Sequence, residues 1–217
     1  MIAVLDYGIG NLRSAQKALE RVGADARLTA DPAEVEAAAG VVLPGVGAFG
    51  RCLEALRSTQ LEEPARRAVE AGTPFLGICI GMQMLYEGSD EDPTTPGMGV
   101  LEGRVRRLPE GVKRPQIQWN RLDRRAASPM FSELDEPTWV YFNHSYAPEA
   151  GPDVVATCDY GETVVAAVER GPLWATQFHP EKSGTTGLQI LANFVAATVT
   201  PLIGPLGPKP AATPGGG

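Results

Sequence analysis

The chain has 217 residues, 43% hydrophobic and 21% charged, enough to bury one sizeable core. Its formal charge of −7 argues against a general binder of nucleic acid or anionic membrane, and no apolar run reaches the roughly 18 residues of a membrane span. Residues 1–6 lack the features of a signal peptide, and three widely spaced cysteines with no C-x-x-C pair fit a reducing cytoplasm better than a disulfide framework or structural zinc.

Residues 2–5 form a short apolar run that ends in Asp6-Tyr7-Gly8, a buried strand followed by a turn. Leu12, Ala15, Leu19 and Val22 then share one face of a helix that Gly23 stops. Asp31-Pro32-Ala33-Glu34 carries the cap, first-position proline and third-position glutamate of a helix start. A second buried strand, 41–43, runs into Pro44-Gly45-Val46-Gly47. Helical patterns cover 50–58 and 62–71, a third strand covers 74–78, and a helix is predicted over 82–87. Alternating strands and helices, with strands apolar throughout, predict an α/β fold with a mainly parallel central sheet flanked by helices. The second half is richer in strand. Residues 139–146, 154–157, 163–169 and 173–178 are β-branched or aromatic runs, and Arg170-Gly171 makes a turn, so additional antiparallel strands are expected there. A last helix is predicted over 187–197. One domain is expected over 1–200, followed by a Pro/Gly-rich disordered tail over 201–217.

Gly77-Ile78-Cys79-Ile80-Gly81 joins the third strand to a helix and is the cysteine form of the G-x-S-x-G elbow. The glycines relieve crowding in the sharp turn, the turn lifts Cys79 above the sheet edge, and the helix start favours an anion there. The Ile80 N–H points to where an oxyanion would form. Cys52 and Cys158 fall in helix and strand patterns and read as core. The chain has two histidines. His179 stands in Gln177-Phe178-His179-Pro180-Glu181-Lys182-Ser183. Pro180 turns the chain so that Glu181 can face the imidazole, fixing its tautomer and leaving the other nitrogen for the thiol. His144 has no carboxylate nearby in sequence and reads as structural or site-lining. Cys79, His179 and Glu181 therefore make a nucleophile, a base and its orienter. His179 and Glu181 lack a third ligand, so no metal and no cofactor are expected. Pro44-Gly45-Val46-Gly47-Ala48-Phe49 ends the second strand beside the elbow, and the Val46 N–H is the candidate second oxyanion donor. Its glycine neighbours would let that peptide reorient, and the phosphate-loop pattern is absent.

Together these segments resemble the class I glutamine amidotransferases and, within them, the glutaminase subunits of imidazole glycerol phosphate synthase. The Cys79 elbow and His179-Pro180-Glu181 are shared by the wider class. The narrower likeness rests on Asp6-Tyr7-Gly8-x-Gly10-Asn11 and on the Lys182-Ser183-Gly184 that follows the His-Pro-Glu run. The resemblance implies hydrolysis of glutamine to glutamate and ammonia through a thioester on Cys79. It also implies a heterodimer with a separate (β/α)8-barrel cyclase subunit, which would receive the ammonia and make imidazole glycerol phosphate and aminoimidazole carboxamide ribotide in histidine biosynthesis. It implies that Gly45, Gly47, Gln83, Glu91, Ser145 and Tyr146 bind glutamine. Asn11, Trp119, Asn120, Tyr141 and Lys182 would face the cyclase. The run Ser89-Asp90-Glu91-Asp92 offers three carboxylates for the role given to Glu91. The sequence departs from the family at Pro115-Gln116-Ile117-Gln118-Trp119-Asn120, where P-H-M-G-W-N is common, and at Asn143, where a small apolar residue is common. Residues 104–125 carry eight basic side chains against two acidic ones. They read either as a solvated hairpin or, around Trp119, as a face that pairs with an acidic surface of the cyclase.

Overall fold

The structure, a computed structural model, describes residues 1–199, so the expected tail at 201–217 lies outside the described residues. Three of the apolar runs become the parallel strands β1 (Ile2–Leu5), β3 (Gly40–Gly45) and β4 (Phe75–Cys79), each buried along its whole length. β2 (Ala26–Thr29) joins them at the edge. Only its two end residues are buried, and Arg27 is exposed between them, which gave no apolar run to read. β1 pairs with β2 and β3, and β3 with β4, all in parallel. The connections are α1 (Leu12–Arg21), α2 (Pro32–Glu36), α3 (Phe49–Ser58) and α4 (Glu62–Glu70). The start read at Asp31 is the one observed: its carboxylate accepts from the Ala33 amide at 2.9 Å.

The chain then folds a short helix, α5 (Ile80–Met84), and three small strands, β5 (Gly88–Ser89), β6 (Asp92–Pro96) and β7 (Arg104–Arg107). There follow β8 (Gln116–Arg121), β9 (Asp123–Arg124), β10 (Trp139–His144), β11 (Tyr146–Pro148), β12 (Val154–Asp159), β13 (Thr163–Arg170), β14 (Leu173–Thr176) and α6 (Gly184–Val199). The main sheet runs in the order β2-β1-β3-β4-β14-β13-β12-β9. β14 returns parallel to β4, whereas β13, β12 and β9 continue antiparallel, so the expected mixed architecture is observed. β14 delivers its C-terminal end beside that of β4, and these two ends carry the site.

Three expectations need correction. The helix predicted over 82–87 starts at Ile80 and stops at Met84. The carbonyls of Met84 and Leu85 accept from the amides of Met98 and Leu101, both at 2.8 Å, so the returning chain takes the bonds that would extend it. The run 139–146 is two strands. It changes partner at Ser145, from β8 in a two-stranded ribbon to β7 in a four-stranded sheet. The basic segment 104–125 is not a hairpin, because β7, β8 and β9 lie in three different sheets. Several of its arginines are held within the chain: Arg106 by Asp90 and Glu149, Arg121 by Asp123, Arg124 by Glu136. Cys52 and Cys158 are buried free thiols, as read. Among the described residues no helix is long and apolar enough to cross a membrane.

Candidate active site

β4 passes into α5 with only Cys79 at the bend, and its φ of +54° is a backbone setting that non-glycine residues rarely adopt. The bend is imposed by strand register: Cys79 is paired with Gly45 of β3, and the segment after β3 lies against the elbow. Val46, Gly47, Cys79 and Ile80 line one cleft. Gly45 sits behind them, where a side chain would meet the Gly81 amide and Ile80. The carbonyls flanking the Gly45–Val46 peptide are held from below. Tyr7 Oη donates to Pro44 O at 2.5 Å, and Cys52 Sγ donates to Val46 O at 3.3 Å. Burial pushes the Tyr7 hydroxyl up and the Cys52 thiol up to about 11, so both keep their donor protons at neutral pH.

His179 follows β14, so it arrives beside Cys79 from the neighbouring strand. Its amide donates to Tyr141 O at 3.0 Å and its carbonyl accepts from Ser183 Oγ at 2.6 Å, which fixes the backbone. The 3-10 turn Pro180–Lys182 brings Glu181 back, and Glu181 Oε1 lies 2.8 Å from His179 Nδ1. Both side chains are almost fully buried. Burial disfavours the imidazolium. Hydrogen bonding to the Cys79 sulfur and to Glu181 outweighs it and pushes His179 up to about 10. The three residues read as nucleophile, base and orienter are thus brought together.

The cleft measures about 220 Å³. That is below the roughly 300–1,000 Å³ of sites for drug-sized ligands, so it suits a smaller molecule. Gln83, Glu91, Ser145 and Tyr146 all line it. Gln83 is fully buried. Its Nε2 donates to Tyr146 O at 2.9 Å and to Gln177 Oε1 at 3.0 Å, while its Oε1 has no partner. Of the three carboxylates in the acidic run, Glu91 reaches the cleft, where Oε2 accepts from the Phe49 amide at 2.8 Å. Asp90 turns to Arg106, and Asp92 accepts from Thr94 and Thr95.

His144 also lines the cleft. Its Nδ1 lies 2.9 Å from Tyr146 O, its Nε2 has no partner, and burial pushes it down to about 4. The native state thus resists protonating His144, whereas the unfolded chain accepts a proton near pH 6.5. This group's contribution is intact above that pH and is lost as pH falls towards 4. The expected loss is roughly 3 kcal/mol at full protonation, read from denaturant melts between pH 7 and 4 and reduced in His144→Gln. Melts of the two chains that fall in parallel would contradict it.

Among the residues expected at a partner face, Trp119 is 49% exposed, and its ring meets Tyr141 edge to face at 6.2 Å. Ile117 and Trp139, not singled out in the sequence, are also about half exposed on the same ribbon. Lys182 is exposed, and Asn11 is half-buried at the start of α1, where it accepts from Ser14 Oγ at 2.7 Å. Asn120 is turned into its own chain. Its Nδ2 donates to Asp159 O at 2.8 Å, and its Oδ1 accepts from the Arg121 amide. Gln118 is exposed opposite Phe142, and the β8–β10 ladder is continuous there. Sequence reasoning missed Gln177, whose Nε2 lies 3.6 Å from Cys79 Sγ. Its spacing of two from His179, just past the end of a predicted strand, was the available signal. Among the described residues no group of three or more His, Cys, Asp or Glu is placed to hold a metal ion.

The family described as glutamine amidotransferase class-I matches residues 3–198. The chain is 49% identical over 195 residues to "Imidazole glycerol phosphate synthase subunit HisH" of Symbiobacterium thermophilum, covering 89% of this chain and 92% of the relative. It is 49% identical to the protein of the same name from Syntrophotalea carbinolica, covering 89% and 98%. A crystal structure of a glutamine amidotransferase superposes with a TM-score of 0.72 at 23% identity, covering 91% of this chain and 98% of that one. The structure of PurLQS from Thermotoga maritima superposes with a TM-score of 0.69 at 21% identity, covering 91% and 96%. At those identities the structures speak for the fold alone.

Proposed function

The chain belongs to the class I glutamine amidotransferases, and from that premise we propose that Cys79, His179 and Glu181 hydrolyse glutamine to glutamate and ammonia. Its function is that of the glutaminase subunit of imidazole glycerol phosphate synthase, in histidine biosynthesis. The observation that carries the chemistry is the buried His179–Glu181 pair set against Cys79 at a strand-to-helix bend. Cys79 attacks the side-chain amide carbon of glutamine as a thiolate, its proton held on His179. The charge that develops on the amide oxygen meets the Val46 and Ile80 N–H groups. Collapse expels the amine, to which His179 returns the proton, and ammonia leaves. Water, deprotonated by His179, then cleaves the thioester and releases glutamate. Gln83, Glu91, Ser145 and Tyr146, with Gly45 and Gly47 shaping the wall, hold the amino-acid end of the substrate.

The partner is a cyclase subunit with a (β/α)8-barrel fold, which takes up the ammonia in the cytoplasm. The catalytic domain covers residues 1–200. The ribbon β8–β10 supports this reading. Ile117, Trp119 and Trp139 expose apolar surface there, and Tyr141 O holds the His179 amide, so the ribbon touches both solvent and site. Asn11, Trp119, Tyr141 and Lys182 remain interface residues in this reading. Asn120 acts there by bracing the ribbon against β12.

The test is glutamate release by the chain alone and with the cyclase plus its nucleotide ligand, beside Cys79→Ala. Stimulation on the order of 10²-fold or more, lost in Cys79→Ala, is expected if partner binding completes the oxyanion donors. Full activity without a partner would identify a stand-alone hydrolase instead.

A further inference from the structure

We propose that Gln177 is a further catalytic residue, which donates a hydrogen bond to Cys79 Sγ and links that sulfur, through Gln83, to the occupant of the cleft. This rests on the reading of Cys79 as the nucleophile. Gln177 is fully buried in the bend that follows β14, two residues before His179, and this bend brings both side chains to Cys79. Its Nε2 lies 3.6 Å from Cys79 Sγ, and its Oε1 accepts from Gln83 Nε2 at 3.0 Å. The remaining hydrogen of Gln83 Nε2 goes to Tyr146 O at 2.9 Å.

The hydrogen-bonding pattern fixes both amides. Reversing Gln83 would set its oxygen against the Tyr146 carbonyl and the Gln177 carbonyl at once. Reversing Gln177 would set two NH₂ groups face to face and turn a carbonyl to the sulfur. In the one consistent arrangement, Gln83 Oε1 is left buried and unpartnered on a residue that lines the cleft. That lone acceptor suits an ammonium group, such as the α-ammonium of an amino acid. An ammonium donating there polarises the Gln83 amide. Its N–H then donates more strongly to Gln177, and the Gln177 N–H in turn to the sulfur. A thiolate is a far better acceptor than a thiol, so the chain of amides favours the nucleophilic form when an amino-acid substrate is seated. It is a device for telling glutamine from an amide that lacks the α-amino group.

The experiment is alkylation of Cys79 by chloroacetamide across pH, followed by mass spectrometry on the full chain, with Gln177→Met and Gln177→Glu alongside. Methionine keeps the bulk without the donor, and the midpoint should rise by about one pH unit, a roughly tenfold slower reaction below it. Glutamate sets a carboxylate against the sulfur and should raise it further. In Gln177→Met, the kcat/KM preference for glutamine over glutaric acid monoamide should shrink by about tenfold. In the unaltered chain, the Gln177 side-chain amide signals in a proton–nitrogen spectrum should titrate with the alkylation midpoint. An unmoved midpoint, or amide signals that do not respond to pH, overturns the donor role. An unchanged substrate preference overturns the link through Gln83. If Cys79→Ala retains glutaminase activity, it is the reading of Cys79 that falls.

Discussion

Glu181→Gln should slow glutamate release by roughly 10³- to 10⁴-fold, and Cys79→Ala should reduce it to background, with both chains still folded. Glu181 Oε1 sits 2.8 Å from His179 Nδ1, in a pocket that admits almost no solvent to either side chain. In that setting the carboxylate is the counter-charge of the imidazolium, and no water can replace it. A glutamine there is neutral. Its NH₂ would occupy the place of Oε2, which is buried without a partner, and an unpartnered buried donor costs about 1–3 kcal/mol. The amide is therefore driven to rotate its NH₂ towards Nδ1, which forces the proton onto the nitrogen that should face the thiol. The pH profile carries a second signature. His179 stands up to about 10 because Cys79 and Glu181 favour its charged form, so the protonated state survives until pH rises through that value. Without the Glu181 charge, the alkaline limb of the profile should move to lower pH. Initial rates with the cyclase and its ligand present, from pH 6 to 10.5, measure both effects. A Glu181→Gln rate within tenfold of the unaltered chain would remove Glu181 from the mechanism.

The meeting of Cys79, His179 and Glu181 was legible because it depends on local spacing. A nucleophile between two glycines after an apolar strand, and a histidine two residues from a carboxylate across a proline, are short-range patterns. The parallel half of the sheet was legible for a related reason: β1, β3 and β4 are buried on both faces and so read as unbroken apolar runs. Elements whose existence depends on a distant partner were not legible. β7 is Arg-Val-Arg-Arg and buries one side chain, and β5 is two residues long; each is a strand because of its neighbour in the sheet. The stop of α5 is set by the amides of Met98 and Leu101, more than ten residues on. Asn120 follows a tryptophan that does face solvent, yet its amide is captured by Asp159 O, 39 residues away. Gln177 was the costliest omission. Its spacing from His179 was in plain view, but its meaning comes from Gln83, 94 positions earlier.

Gly81→Ala should destabilise the chain by about 3 kcal/mol or more and abolish glutaminase activity, against the expectation from helix propensity alone. Gly81 lies inside α5, where alanine is favoured over glycine by up to ~1 kcal/mol. A Cβ at this position would collide with the Leu43 carbonyl oxygen and stand 2.8 Å from Leu43 C. These are backbone atoms of β3, which is held by ladders to β1 on one side and β4 on the other, so the strand has no cheap way to yield. Overpacking a rigid site costs about 1–3 kcal/mol and sometimes more, and a collision with strand backbone belongs at the upper end, well above the propensity gain. The damage also falls on function. β3 leads into Val46, while Cys79 and Ile80 stand at the head of α5, so a helix pushed off the strand separates the two N–H groups proposed as oxyanion donors. Gly151→Ala is the control, since a Cβ there meets no atom within 4 Å, and its effect should stay within about 0.5 kcal/mol. Denaturant melts of the two variants measure the difference. If they coincide, the close approach of α5 to β3 does not define the site, and the geometry assigned to the oxyanion donors loses its foundation.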